Sequence, residues 1–437
     1  MGGIAEPAAR LAPHWLQCSA PSMAGAPHDG QNWLTSIPPP TGQIPPQPGL
    51  NLGHTRAARQ GPTAFASRRR RPARPVGNVR SFALVGTGED RVAHDLVIRN
   101  GRVVDGTGAP ARSADVAIDD GRITAVGQVD EGGTQELDAD GAVVAPGWVD
   151  VHSHYDGQAT WDEELAPSSW HGVTTLVMGN CGVGFAPAQP DRHDWLIGLM
   201  EGVEDIPGTA LAEGITWEWE SFPEYLDALD RKRWTTDLGA QIAHGAVRAY
   251  VMGERGARNE PATAADIEAM AAIVREAIQA GALGFSTSRT IAHRAIDGEP
   301  VPGTYAAEDE LFGIGRVLGE LGTGVFELAP TGVAGEDIVA PMVEVAWMRK
   351  LADAIGRPVT FAMLQVDTAP ELWREMLDES AAALASGAPL YPQVAGRPTG
   401  LLSGFDTTFN SAAPTTSGAR MSANQMPAPT GLPSMAM

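Results

Sequence analysis

Between His94 and Asn410 the chain alternates apolar and polar positions in two rhythms. The first is the period-two alternation of half-buried strands. DLVIRNGRVVDG (95–106) sets Asn-Gly among alternating apolar residues, and ADVAIDDGRITAVG (114–127) does the same around Asp-Gly. Both dipeptides tolerate the positive φ of tight hairpin turns, so residues 94–143 read as a small antiparallel β layer, a β-sandwich segment. From Val143 short apolar runs are instead separated by helical patterns. The runs are VVAPGWVDVH (143–152), GVTTLVMG (172–179), DLGAQIAH (237–244), GALGFSTS (281–288), GTGVFELA (322–329), RPVTFAML (357–364) and GAPLYPQV (387–394). The clearest helix is TAADIEAMAAIVREAIQAG (263–281), with Thr263 as N-cap, Asp266 at the capping-box position and Gly281 beyond its end. APELWREMLDESAAALASG (369–387) is similar. Strand–helix alternation implies a parallel sheet. Seven strands over about 250 residues predict an α/β fold, a (β/α)8 TIM-like barrel spanning 144–410 and incomplete at about seven strands. An open doubly wound sheet is the alternative, weakened by the missing Gly-rich phosphate turn after the first strand.

The flanks differ in kind. Residues 1–93 are rich in Pro, Gly, Ala and Arg without helical or strand periodicity, and 411–437 share that character. Such segments bury too little apolar surface to offset their ordering entropy and read as a disordered extension and tail. Residues 1–93 hold ten arginines against four acids; the remainder carries twenty-one basic and forty-nine acidic residues, for a net charge of −22 overall. So acidic a body argues against nucleic acid as a partner. No apolar run approaches the ~18 residues of a membrane helix, and no secretory pattern opens the chain. Cys18 and Cys181 are the two cysteines of the sequence, too few for a disulfide framework. A reducing, cytoplasmic setting is therefore expected.

The candidate chemistry lies in VDVHSHYDG (149–157), where the first run emerges into a loop. Strand side chains alternate faces, so His152 and His154 point the same way and make half of a metal site. The competing reading is a pair of loop histidines bonded to backbone or water. At the same rim the second strand ends in MGNCGVGFAP, with Cys181 between glycines. A free cysteine is usually a small buried hydrophobe, yet two imidazoles and a thiolate make a reasonable zinc shell.

PGWVDVHSHYD followed by HGVTTLVMGNCGVGFAP resembles the amidohydrolase superfamily, and within it the N-acyl-D-amino-acid deacylases, or D-aminoacylases. AHGAVRAYVMG (243–253), AGALGFSTS (280–288) and DLVIRNGRVVDGTG are similar to further segments of that family. The resemblance implies hydrolysis of a C–N amide bond in a small N-acyl amino acid or related amide, with Zn2+ as cofactor. By position it carries metal ligation onto His152, His154 and Cys181, and places His244 and Arg248 as candidates for lining the substrate pocket.

Three departures from that pattern stand out. Ala329 and Met363 fall where the fifth and sixth strands of the family supply metal-binding histidines. Glu327 and Gln365 each lie two residues from the gap, on the same strand face, and are candidate substitutes. The family's general base, an aspartate on the eighth strand, has no counterpart; Asp406 belongs to the loop after the seventh. The pattern predicts a chain cut short near residue 410, with unpaired strand edges. Two functions follow: a zinc-dependent amidohydrolase, or a catalytically silent relative that binds metal or ligand without turnover.

Overall fold

The computed structural model of the chain describes residues 92–395. The expectations for the Arg/Pro-rich extension, for the tail and for Asp406 lie outside the described residues. Five strands form the first sheet: β1 (Val92–Val103), β2 (Arg112–Asp119), β3 (Arg122–Gly127), β4 (Gly132–Asp138) and β5 (Val143–Val144). Asp120 and Gly121, with φ of 50° and 71°, turn β2 into β3 as an antiparallel hairpin. Asn100-Gly101 does something else. Asn100 has φ 55°, but β1 runs straight through it, and the register with β2 shifts between Ile98 and Gly101. The dipeptide makes a bulge rather than a turn, because both need the same positive φ.

The layer is also mixed, not antiparallel as expected, and it is a single sheet rather than a sandwich. β4 and β5 both pair with β1 in parallel. The cause is the link after β3. Val129 packs with Val97 and Ala117 on one face, while Arg99 donates to the carbonyl oxygens of Val129 and, at 2.7 Å, of Glu131. The chain is thus carried across the face and enters β4 alongside the free edge of β1.

The parallel strands follow as β6 (Trp148–Asp150), β7 (Val173–Met178), β8 (Asp237–Ala240), β9 (Ile242–Ala243), β10 (Gly284–Ser288), β11 (Val325–Ala329), β12 (Val359–Ala362) and β13 (Leu390–Gln393). They form two sheets, β6-β7-β8 and β13-β12-β11-β10-β9, with Gln241 alone between β8 and β9. Among the described residues β6 pairs only with β7 and β13 only with β12, so the sheets are open and no closed barrel is formed. Two windows split where single strands were expected. In 143–152, Pro146 offers no N–H to a ladder, and a Cβ on Gly147 would lie 2.1 Å from Thr174 Oγ1. Val143–Val144 therefore joins the first sheet and Trp148–Asp150 the second. The expected buried strand is an exposed edge, with Trp148 at 70% exposure.

Nine α-helices lie among the described residues: α1 (His193–Glu204), α2 (Gly208–Gly214), α3 (Phe222–Asp230), α4 (His244–Met252), α5 (Glu254–Ala257), α6 (Ala264–Ala280), α7 (Glu308–Leu321), α8 (Ala340–Ile355) and α9 (Leu372–Ala385). The α6 cap forms as its sequence predicts: Asp266 N–H donates to Thr263 Oγ1 and the Asp266 carboxylate accepts from Thr263 N–H. Met270, Val274, Ala277 and Ile278 make its buried stripe. In the sheet, Phe285 of β10 is in register with Phe326 of β11, and Phe361 of β12 continues the layer, all three fully buried. Burying each is worth roughly 1.5–3 kcal/mol. The strand period of two then sends Ser286 and its register partner Glu327 to the opposite face. No helix among the described residues is long and apolar enough to cross a membrane.

Candidate metal centre

His152 and His154 sit in the coil just beyond β6, where Ser153 N–H donates to Val177 O of β7 at 3.0 Å. Their rings face each other edge-on, centroids 5.3 Å apart. Cys181 reaches them because the turn after β7 is pressed hard against its neighbours. A Cβ on Gly179 would lie 2.1 Å from Gln241 O, and one on Gly182 2.8 Å from Ser288 N. Gly179, Cys181 and Gly182 all have positive φ (77°, 54° and 69°); for Cys181, a side chain in that region is uncommon. Gly182 N–H donates to Ser286 Oγ, and Ser286 Oγ–H in turn to Gly179 O, which clamps the turn to β10. The result is Cys181 Sγ at 3.1 Å from His152 Nε2. One ligand atom from each of His152, His154 and Cys181 lies within 4.8 Å of the other two.

The surrounding groups orient this trio. Gln393 Oε1, at the end of β13, accepts from His152 Nδ1 at 2.7 Å, which places the proton on Nδ1 and leaves the Nε2 lone pair facing the sulfur. Glu327 Oε2 accepts from Cys181 N–H at 2.9 Å, while its Oε1 stands 3.6 Å from His152 Nδ1 without a hydrogen bond. Glu204, the last residue of α1, brings Oε1 to 3.3 Å from His154 Nε2. His154 Nδ1 is buried with no partner. His293, in the loop after β10, pairs Nδ1 with Ser288 Oγ at 3.0 Å.

Burial dominates the electrostatics. It pushes the Glu327 carboxyl up to about 7, against the pull of His152 and of Cys181 N–H. It also lifts Asp156 to about 7, against the Gly179 N–H that Asp156 accepts, and raises Glu204 against His293 and His152. Cys181 is driven well above the ordinary thiol value by burial, then by Glu327, Glu204 and Asp156. His154 is held well below 6.5 by burial and His152. Burial likewise takes His293 down to about 4, with Glu204 opposing. Among the described residues no Arg or Lys pairs with Glu204, Glu327 or Asp156. Two imidazoles and a thiol thus converge, with Glu204 beside His154, Glu327 on the backbone of Cys181 and no Arg or Lys paired with either carboxyl among the described residues. Such a donor set fits a soft-to-borderline divalent metal.

His244 and Arg248 are placed elsewhere, which corrects their expected role as pocket-lining groups. His244 begins a helix rather than ending a strand, so it and Arg248 share one face of α4 at i, i+4 spacing. Both turn to Glu310 of α7. His244 Nε2 lies 2.9 Å from Glu310 Oε1, and Arg248 donates to both carboxylate oxygens at 2.6 and 3.1 Å. Arg248 also donates to Gly256 O and Glu260 O, and His244 Nδ1 pairs with Thr287 Oγ1. His244 and Arg248 are 0% and 1% exposed, and four of the five Arg248 N–H donors are taken by Glu310 and the two carbonyls. The group is a buried brace. Of the proposed substitutes, Glu327 faces the trio; Gln365 is exposed and donates to Pro370 O. Glu204, His293 and Gln393 carried no motif, and nothing in the sequence brings such distant positions to one place.

A family model described as "Amidohydrolase family" matches residues 135–419. The D-aminoacylase of Alcaligenes xylosoxydans xylosoxydans is 30% identical over 313 residues, 70% of this chain and 59% of that protein. A D-aminoacylase structure concerned with its binuclear metal centre, with one-metal activation and second-metal attenuation, superposes with TM-score 0.56 at 28% identity, covering 68% of this chain and 58% of the other. The N-acyl-D-glutamate deacylase of Bordetella bronchiseptica, complexed with zinc and a phosphonate inhibitor, gives TM-score 0.54 at 28% identity with the same coverage. The chain therefore spans under three fifths of the length of these relatives.

Proposed function

This chain belongs to the amidohydrolase family and is D-aminoacylase-like, and from that premise we propose that it is built to hydrolyse a C–N amide bond in a small N-acyl amino acid at a zinc centre held by His152, His154 and Cys181. In this reading β6 to β13 are the arc of a (β/α)8 barrel, and the centre stands at its carboxyl-end rim. The observation that carries the proposal is the convergence of two imidazoles and a thiol to within 4.8 Å, from segments 29 residues apart. When bound, the cation supplies Lewis-acid polarisation of the amide carbonyl and a more acidic water.

The chain's own groups then have distinct tasks. Gln393 holds His152 in the tautomer that presents Nε2. Glu327 holds the backbone of Cys181 and so fixes where the sulfur points. Asp156 accepts Gly179 N–H at 3.2 Å and secures the start of the same turn. Cys181 is buried and the two histidines are half-buried, and partial enclosure of this kind strengthens the charge interactions inside. One observation favours the second reading, metal binding without turnover: Ala329 and Met363, both buried, occupy the places where further imidazoles are expected.

The test is zinc per chain in the full-length protein, in Cys181→Ala and in His152→Ala, followed by amine release from N-acetyl-D-amino acids with the L-enantiomers as comparison. Near-stoichiometric zinc lost in both variants, with D-selective release, is expected. Equal zinc in all three removes the centre; zinc without release selects the silent reading.

A further inference from the structure

His152, His154 and Cys181 supply three ligand atoms, and a structural or catalytic zinc takes four or more. The groups expected to complete the set, at the end of β11 and just past β12, are Ala329 and Met363, neither of which offers a suitable donor. A carboxylate stands beside His154 instead. Glu204 ends α1, and Asp205, with φ 54°, terminates the helix by donating its N–H to Glu201 O at 3.1 Å. This stop directs the Glu204 side chain inward, where it is 20% exposed. Its Oε1 lies 3.3 Å from His154 Nε2. Nitrogen and oxygen ligands on one tetrahedral zinc stand about 3.4 Å apart. The observed separation is thus that of neighbours on an ion. No Arg or Lys among the described residues pairs with the carboxylate.

Resting on the three-residue centre above, we propose that Glu204 is the carboxylate ligand of that centre, filling a coordination position that β11 and β12 leave open. Glu204 lies outside the tightest group of three, so ligation draws it inward by rotation about its side-chain bonds. The carboxylate would add a hard oxygen donor and a negative charge to a set of two ring nitrogens and one sulfur. This strengthens binding of zinc or cobalt(II) without altering the thiolate bond.

The full-length chain, freed of metal, is titrated with cobalt(II) alongside Glu204→Gln, Glu204→Asp and, one turn earlier on α1, Glu201→Gln. Wild type is expected to show a thiolate-to-cobalt charge-transfer band. Glu204→Gln should keep that band, bind cobalt at least about tenfold more weakly and change the visible ligand-field bands. Glu204→Asp should fall between, and Glu201→Gln should match wild type. Without metal, Glu204→Gln should unfold no earlier than wild type, since it removes a buried carboxyl that has no cationic partner. A wild-type thiolate band with unchanged affinity and ligand-field bands in Glu204→Gln overturns the carboxylate alone. Loss of metal-free stability in proportion to affinity also overturns it, since that is the mark of a packing role. A wild type with no thiolate band overturns the three-residue centre and this inference together.

Discussion

Replacing Glu310 by Gln should be among the most damaging single changes outside the candidate metal centre, and it should leave that site intact. The carboxylate is 2% exposed and is the shared partner of His244 and Arg248. Burial alone would raise its pKa; the hydrogen bonds and charges of His244 and Arg248 outweigh this and bring it down to about 2, from an ordinary 4.5. That difference corresponds to roughly 3 kcal/mol of stability at neutral pH. The same figure arises from the other side. An arginine cannot shed its proton, so Glu310→Gln strands a buried guanidinium, which costs about 3–5 kcal/mol. Because the folded value lies below the unfolded one, the contribution is complete above 4.5 and is lost as pH falls through about 2. Roughly 1 kcal/mol of it remains at pH 3. Urea unfolding of wild type and variant at pH 7 and pH 3 reads both numbers. The stability gap should shrink by about 2 kcal/mol between the two conditions, while zinc per chain stays at the wild-type value. A cost under about 1 kcal/mol at pH 7, or a gap that does not narrow in acid, would falsify the brace.

Gly179→Ala should lower the thermal midpoint and the zinc content together, because its Cβ meets Gln241 O at 2.1 Å in a backbone with φ 77° and Cys181 hangs from the same turn. Retention of both quantities would show that the turn relaxes without moving the sulfur. Gln393→Leu removes the acceptor of His152 Nδ1; about a 10–100-fold loss of zinc affinity is expected, read by competition with a chelator, and an unchanged affinity would mean that the ring is oriented by something else.

Much of this molecule is legible locally. The Asp120-Gly121 hairpin and the Thr263–Asp266 capping box form where their residues stand, since turn and cap chemistry depend on atoms a few residues apart. His152, His154 and Cys181 stand out locally as strand-end residues, but what brings the sulfur to the rings is the packing of the Gly179–Gly182 turn against Gln241 and β10. Other features are underdetermined by local chemistry. Asn100-Gly101 has the residues for a turn and forms a bulge, and the choice falls to the register of β1 on β2. His244 reads as the last residue of a strand and is the first of a helix. Its partner Glu310 lies 66 positions away, so neither the burial nor the brace can be inferred from its neighbours.

The immediate surroundings of the candidate metal centre belong largely to the tertiary structure. Glu204 arrives from the end of α1 and Gln393 from β13, each with no motif of its own, while Glu327 of β11 is signalled only by its spacing from Ala329. Hydrophobic periodicity tells which face of a helix or strand is buried, but not which other element buries it. A carboxylate on a helix end looks the same in sequence whether it meets water or an imidazole. Packing decides that, and with it the charge around Cys181.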